Sequence, residues 1–115
     1  MSTKYAAQHD EKTTLELARR DFLRDYLAHA PMALALLRAI ECRELADFQF
    51  RRPVLDLGCG DGLFGQMLFR EGPEYGLDRS LSELYTARQR GVYRALVCAD
   101  MAWMPFADGS FATIL

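Results

Sequence analysis

The chain has 115 residues, half of them hydrophobic and about a quarter charged, which fits one folded domain around one core and excludes a disordered tail. A formal net charge of -2, with no long run of Lys or Arg, argues against a nucleic-acid backbone as the primary partner. Cys42, Cys59 and Cys98 are odd in number and show neither C-x-x-C nor zinc spacing, so they read as free thiols of a reducing compartment.

The opening "MSTKYAAQHDEK" lacks the basic start, apolar core and small-residue cleavage site of a secretory signal. Thr13 followed by Glu16 makes a capping-box pattern, and Leu15, Ala18, Phe22 and Tyr26 recur on one helical face, predicting a first helix over residues 14 to 29. Pro31 suits the first turn of a second helix, whose apolar stripe of Leu36, Leu37 and Ile40 runs to about Leu45. The window "PMALALLRAIEC" is broken by Arg38 and Glu41 and cannot span a bilayer, so the expectation is a soluble, cytoplasmic protein with no membrane partner. Residues 1–50 thus read as a helical cap on a domain occupying residues 51–115.

From Pro53 the pattern changes to short apolar runs separated by helices. "VLDL" predicts a strand, "LFGQMLFREG" a helix stopped by Gly72, and "EYGLD" a second strand. Ser80 with Glu83 is another capping box, opening "LSELYTARQRG", which Gly91 closes. "YRALVC" predicts a third strand, "ADMAWMPFADGS" a connection turning at Asp108 and Gly109, and "FATIL" a fourth strand. This alternation predicts an α/β fold with a parallel sheet. The apolar fourth strand reaches Leu115, so the expectation is the front part of a larger domain, with a bare strand edge prone to self-association.

The stretch "PVLDLGCGDGLFGQ" places Gly58, Gly60 and Gly62 two apart, directly after Asp56. Glycines in a strand-to-helix turn adopt positive φ and, lacking Cβ, let a ligand lie against the backbone. The N–H groups opening the next helix are expected to point outward toward a nucleotide or carboxylate. The dinucleotide fingerprint would need glycine where Leu63 stands, and no Lys-Ser or Lys-Thr follows to make a phosphate loop. A cofactor site is predicted, and NAD or FAD is disfavoured as its occupant.

"VLDLGCGDG", with "YGLDRS" and then "VCADMAWMPFADGSFATIL", resembles the class I S-adenosylmethionine-dependent methyltransferases, in particular the group that modifies small molecules. The resemblance covers residues 53 to 115 with three motifs in order. It implies a Rossmann-like sheet in order 3-2-1-4, the first half of a seven-stranded fold, with S-adenosyl-L-methionine as cofactor and a small-molecule methyl acceptor. Gly58, Cys59, Gly60 and Gly62 would form the turn beneath the methionine part, with Asp56 holding its amino group. Asp78 would accept from both ribose hydroxyls, with Arg79 beside it. Asp100 would accept the adenine amino group, with the backbone N–H of Met101 facing the ring and Ala102 or Trp103 near its flat surface. Two positions depart from the family's habit: Ala112 replaces an Asp of "DGSFD", and Arg79 replaces an apolar residue. Catalytic residues are not legible, and no metal site is expected.

Blander roles compete for several residues. Cys59, with no histidine near it in sequence, reads as a small buried thiol, and Cys42 and Cys98 fall on apolar faces. Met101, Trp103 and Met104 either line a pocket or pack a loop on the sheet. The leading reading is a methyltransferase. Its rivals are a module that binds the cofactor without turnover and, less favoured, a nicotinamide-dependent oxidoreductase.

Overall fold

The computed structural model describes residues 20–115, in two units that divide between Asp47 and Phe48. In the first unit, helix α1 (Phe22–Leu27) starts at Asp21, whose carboxylate accepts from the Arg24 N–H at 3.0 Å. That cap replaces the continuous helix expected over residues 14 to 29; the Thr13–Glu16 capping box lies outside the described residues. Helix α2 (Met32–Leu45) follows with Pro31 at its N-cap.

The buried stripe of α2 is Ala35, Ala39 and Cys42, while Leu36, Leu37 and Ile40 are about half exposed. This corrects the expected stripe. Small residues on consecutive turns let α1 come close and bury Phe22 and Tyr26. The Phe22 ring is capped by the guanidinium groups of Arg20 and Arg43, 4.4 and 5.6 Å from its centroid.

In the second unit, strands β1 (Val54–Leu57), β2 (Tyr75–Asp78), β3 (Ala95–Cys98) and β4 (Thr113–Ile114) form one parallel sheet in the order β3-β2-β1-β4. The predicted α/β class and strand order are both observed. β1 is interior, and Val54, Leu55 and Asp56 are all buried, as befits a parallel strand covered on both faces. Helix α3 (Leu63–Leu68) connects β1 to β2, and α4 (Leu81–Arg90) connects β2 to β3. A 3-10 turn, Met101–Trp103, follows β3, and the edges of Tyr75, Phe106 and Phe111 then meet in a T-shaped cluster.

Two local predictions differ at α3. The helix ends at Leu68, because Phe69 turns extended and its ring meets Phe50 at 5.3 Å. Gly72 is therefore not its cap; a Cβ there would stand 1.7 Å from the Val92 carbonyl oxygen, so close approach is what demands glycine. At the amino ends of the strands, Arg52 grips the connection into β2, donating to the carbonyls of Gly72 and Glu71 and to Glu74. Glu74 also accepts from the Val54 N–H at 2.6 Å. The amino ends are thus pinned together, and the carboxyl ends open on the opposite side.

Candidate functional site

Gly58, Gly60 and Gly62 have φ of +73°, +53° and +80°, the left-handed region that side chains resist. They carry the chain from β1 into α3. The turn is tied to β2, since the N–H groups of Gly58 and Cys59 both donate to the Leu77 carbonyl, at 2.8 and 3.0 Å. The Gly60 N–H donates to Asp78 Oδ2 at 2.9 Å. Within the turn, Gly62 donates to the Cys59 carbonyl and Leu63 to Asp61 Oδ1, both at 3.0 Å.

At Leu63, the first residue of α3, the N–H therefore turns inward rather than outward as expected. The turn's donors at positions 58, 59, 60, 62 and 63 are spent inside the protein. A phosphate is held by such donors when they are open, so this turn suits a ligand met by carboxylates and by bare glycine Cα instead.

A cleft of about 240 Å³ opens at the carboxyl ends of the strands, lined by Gly58, Leu77, Asp78, Arg79, Ala99, Asp100 and Met101. This is where open α/β sheets bind ligands. It brings together Gly58, Asp78, Arg79, Asp100 and Met101 of the residues singled out from sequence. A Cβ on Gly58 would meet, among the described residues, only the Met101 Cε at 3.9 Å.

Asp78 closes β2 and is held on both oxygens, Oδ2 by Gly60 and Oδ1 by the Ser80 N–H at 2.8 Å. Each carboxylate oxygen keeps a second acceptor position. Ser80 caps α4 as predicted, accepting from the Glu83 N–H at 3.4 Å, but its own N–H goes to Asp78 rather than to Glu83. Asp100 caps the 3-10 turn, its Oδ1 accepting from the Ala102 N–H at 2.8 Å. That N–H is therefore committed. Trp103 is 84% exposed, so it does not pack on the sheet.

The other sequence-selected residues stand outside the cleft lining. Asp56 is buried, with Oδ2 accepting from the Tyr93 hydroxyl at 2.5 Å, against the face of α3 at Gly65. Burial raises its carboxyl pKa, the Tyr93 hydrogen bond pulls it back, and the Asp78 charge adds to the rise. Gly62 packs on α4: a Cβ there would stand 3.0 Å from the Tyr93 ring and 3.2 Å from the Ala87 Cβ. Cys59 is buried against Gly76, and burial, followed by the Asp56 and Asp78 charges, pushes its thiol up to about 12. It stays protonated and packs, as the blander reading had it. Cys98, expected on an apolar face, is exposed, with Sγ 3.5 Å from the Arg79 carbonyl oxygen.

Sequence reasoning missed Tyr93 and Arg90. Arg90, in the last turn of α4, donates from Nε to the Asp61 carbonyl at 2.9 Å and from Nη1 to Gln66 at 3.0 Å, and its Nη2 lies 3.2 Å from Asp61 Oδ2. One guanidinium thereby locks the glycine turn to two helices. Among the described residues, no group of three or more His, Cys, Asp or Glu could hold a metal ion, and no helix is long and apolar enough to cross a membrane.

Three known proteins are similar to this chain. It is 42% identical over 66 residues to the malonyl-acyl-carrier-protein O-methyltransferase of Legionella pneumophila, covering 52% of this chain and 23% of that protein. It is 42% identical over 78 residues to an 18S rRNA guanine-N(7)-methyltransferase of Saccharomyces cerevisiae, covering 65% and 27%. Over 65 residues it is 42% identical to an 18S rRNA guanine-N(7)-methyltransferase of Arabidopsis thaliana, covering 56% and 22%. The chain spans about a quarter of the length of these relatives.

Two of them are named for acting on RNA, which corrects the expectation of a small-molecule acceptor with no nucleic acid in view. A model of the methyltransferase domain matches residues 55–115, more than half of the chain. The chain therefore belongs to the class I S-adenosylmethionine-dependent methyltransferase domain family.

Proposed function

We propose that the cleft holds S-adenosyl-L-methionine and that the protein transfers its methyl group to an acceptor. The observation that carries this reading is the cleft at Gly58, which joins a glycine edge with room for a ligand to two carboxylates, Asp78 and Asp100, at adjacent strand ends. The residues fit the cofactor. Asp78 offers acceptor positions for ribose hydroxyls, Asp100 for the adenine amino group, and the Met101 side chain stands over the floor at Gly58.

When bound, the cofactor supplies an activated methyl group on a positively charged sulfur. The chain's own part is to bind and orient. Asp78 and Asp100 bring negative charge to the cleft, which favours a cationic donor over a phosphate-bearing one. Asp78 couples the two motifs, because the carboxylate facing the cleft also fixes Gly60. Holding the donor on such a rigid turn sets the line of approach for an acceptor, which is where most of the acceleration of a methyl transfer can come from.

The spent N–H groups also weigh against a nicotinamide dinucleotide, whose pyrophosphate would need them. The relatives carry names for methylating an oxygen and a guanine nitrogen, so the shared segment is read as donor handling, compatible with protein-borne and RNA acceptors alike. Three unpaired cysteines, two of them buried, are in keeping with the cytoplasm.

Calorimetric titration with S-adenosylhomocysteine and with NAD tests the donor assignment. Saturable binding of the first without the second is expected, and the reverse would sink it. Transfer of label from methyl-labelled cofactor to an acyl-carrier-protein thioester or to 18S rRNA then tests turnover and acceptor class.

A further inference from the structure

We propose that Glu83 is a second ribose-binding carboxylate, accepting one cofactor hydroxyl across the open side of Gly60; this rests on the donor reading above. Asp78 is the acid expected for the ribose. Both of its oxygens are already engaged, Oδ1 with the Ser80 N–H at 2.8 Å and Oδ2 with the Gly60 N–H at 2.9 Å. A ribose brings two hydroxyl donors to a group with one acceptor position left on each oxygen.

Glu83 approaches the same turn from the first turn of α4. Its Oε2 lies 3.7 Å from where a Cβ on Gly60 would stand, and apart from Gly60 and its chain neighbours no other described atom comes within 4 Å of that point. Among the described residues beyond its chain neighbours, a ligand laid against Gly60 therefore meets this carboxylate oxygen first. Two residues earlier, the open edge of Gly58 faces the cleft and Met101.

The position of Glu83 has a physical cause. In a capping box, the acid three residues after the serine turns back onto the serine N–H. Here Asp78 has taken the Ser80 N–H, and the Glu83 side chain stands beside Gly60 instead. The displaced cap brackets one glycine with two carboxylates, Asp78 at its N–H and Glu83 at its Cβ position. That bracket selects for a free ribose diol and against a ribose carrying phosphate, which two carboxylates would repel.

The test is calorimetric titration of S-adenosylhomocysteine and its 2′-deoxy and 3′-deoxy forms into wild type, Glu83→Ala and Glu83→Gln. Glu83→Ala is expected to weaken S-adenosylhomocysteine about five- to tenfold, the loss of one hydrogen bond. One deoxy form should bind wild type and Glu83→Ala alike, because the hydroxyl that Glu83 holds is missing. Glu83→Gln, which keeps an acceptor oxygen, should restore most of the affinity. Equal weakening of all three ligands would overturn the proposal and leave Glu83 as a helix-terminal acid only. Wild-type binding that Glu83→Ala leaves unchanged removes this proposal alone. No binding by the wild type removes the donor reading and this proposal with it.

Discussion

The Tyr93 hydroxyl donates to Asp56 Oδ2 at 2.5 Å, joining the segment before β3 to the middle of β1 beneath the glycine turn. The Tyr93 ring fills the space left by three glycines, standing within 3.0 Å of the Cβ positions of Gly62 and Gly76 and closer still to that of Gly65 at its hydroxyl. A carboxylate that is 7% exposed needs such a donor.

Tyr93→Phe should therefore cost about 1–3 kcal/mol, because it strands a buried acceptor while keeping the ring. Urea unfolding of wild type and variant measures this. A change within the error of the measurement would show that water replaces the hydroxyl at no cost.

Asp56 also makes a prediction about pH. Burial, only partly offset by the Tyr93 hydrogen bond and reinforced by Asp78, raises its folded pKa. The folded state then binds the proton more tightly than the unfolded one. The group's contribution is fully present below the unfolded value of about 3.9 and is lost as pH rises through the folded value. Asp56→Asn keeps an acceptor for Tyr93 and removes the charge. The stability of wild type relative to Asp56→Asn should fall as pH climbs from acid toward neutrality, read from unfolding curves at each pH. A gap that instead grows in favour of wild type would place the folded pKa below the ordinary range.

Alanine scanning of three glycines should separate two reasons for having no side chain. Gly91 ends α4 at φ +67° with nothing within 4 Å of a Cβ, so Gly91→Ala should cost about 1 kcal/mol, the backbone penalty alone. Gly62→Ala adds a clash with Tyr93 and Ala87 to a φ of +80° and should cost more. Gly72→Ala puts a methyl 1.7 Å from the Val92 carbonyl oxygen, which only a backbone shift relieves; a loss above about 3 kcal/mol is expected. Melting temperatures in the order Gly91→Ala, Gly62→Ala, Gly72→Ala, highest first, would meet the prediction, and any other order would contradict it.

Local patterns in the sequence determined a good deal about this protein. The alternation of short apolar runs and helices determined the parallel sheet, Ser80 and Gly91 marked the ends of α4, and the glycine spacing after Asp56 marked the turn. These features are legible because propensity and hydrogen bonding act over a few residues. Only the tertiary structure decided what those elements lean on. Arg90 and Asp61 are 29 residues apart and Tyr93 and Asp56 are 37 apart, so no periodicity could pair them. Periodicity likewise picked out Leu36, Leu37 and Ile40 as the apolar stripe of α2, while close packing with α1 selected Ala35, Ala39 and Cys42 instead. The disposal of the turn's N–H groups was decided the same way: Leu77 and Asp78 reach them only once β2 lies beside β1. A chain's own neighbours set its local conformation, whereas partners chosen from across the fold set which groups remain for a ligand.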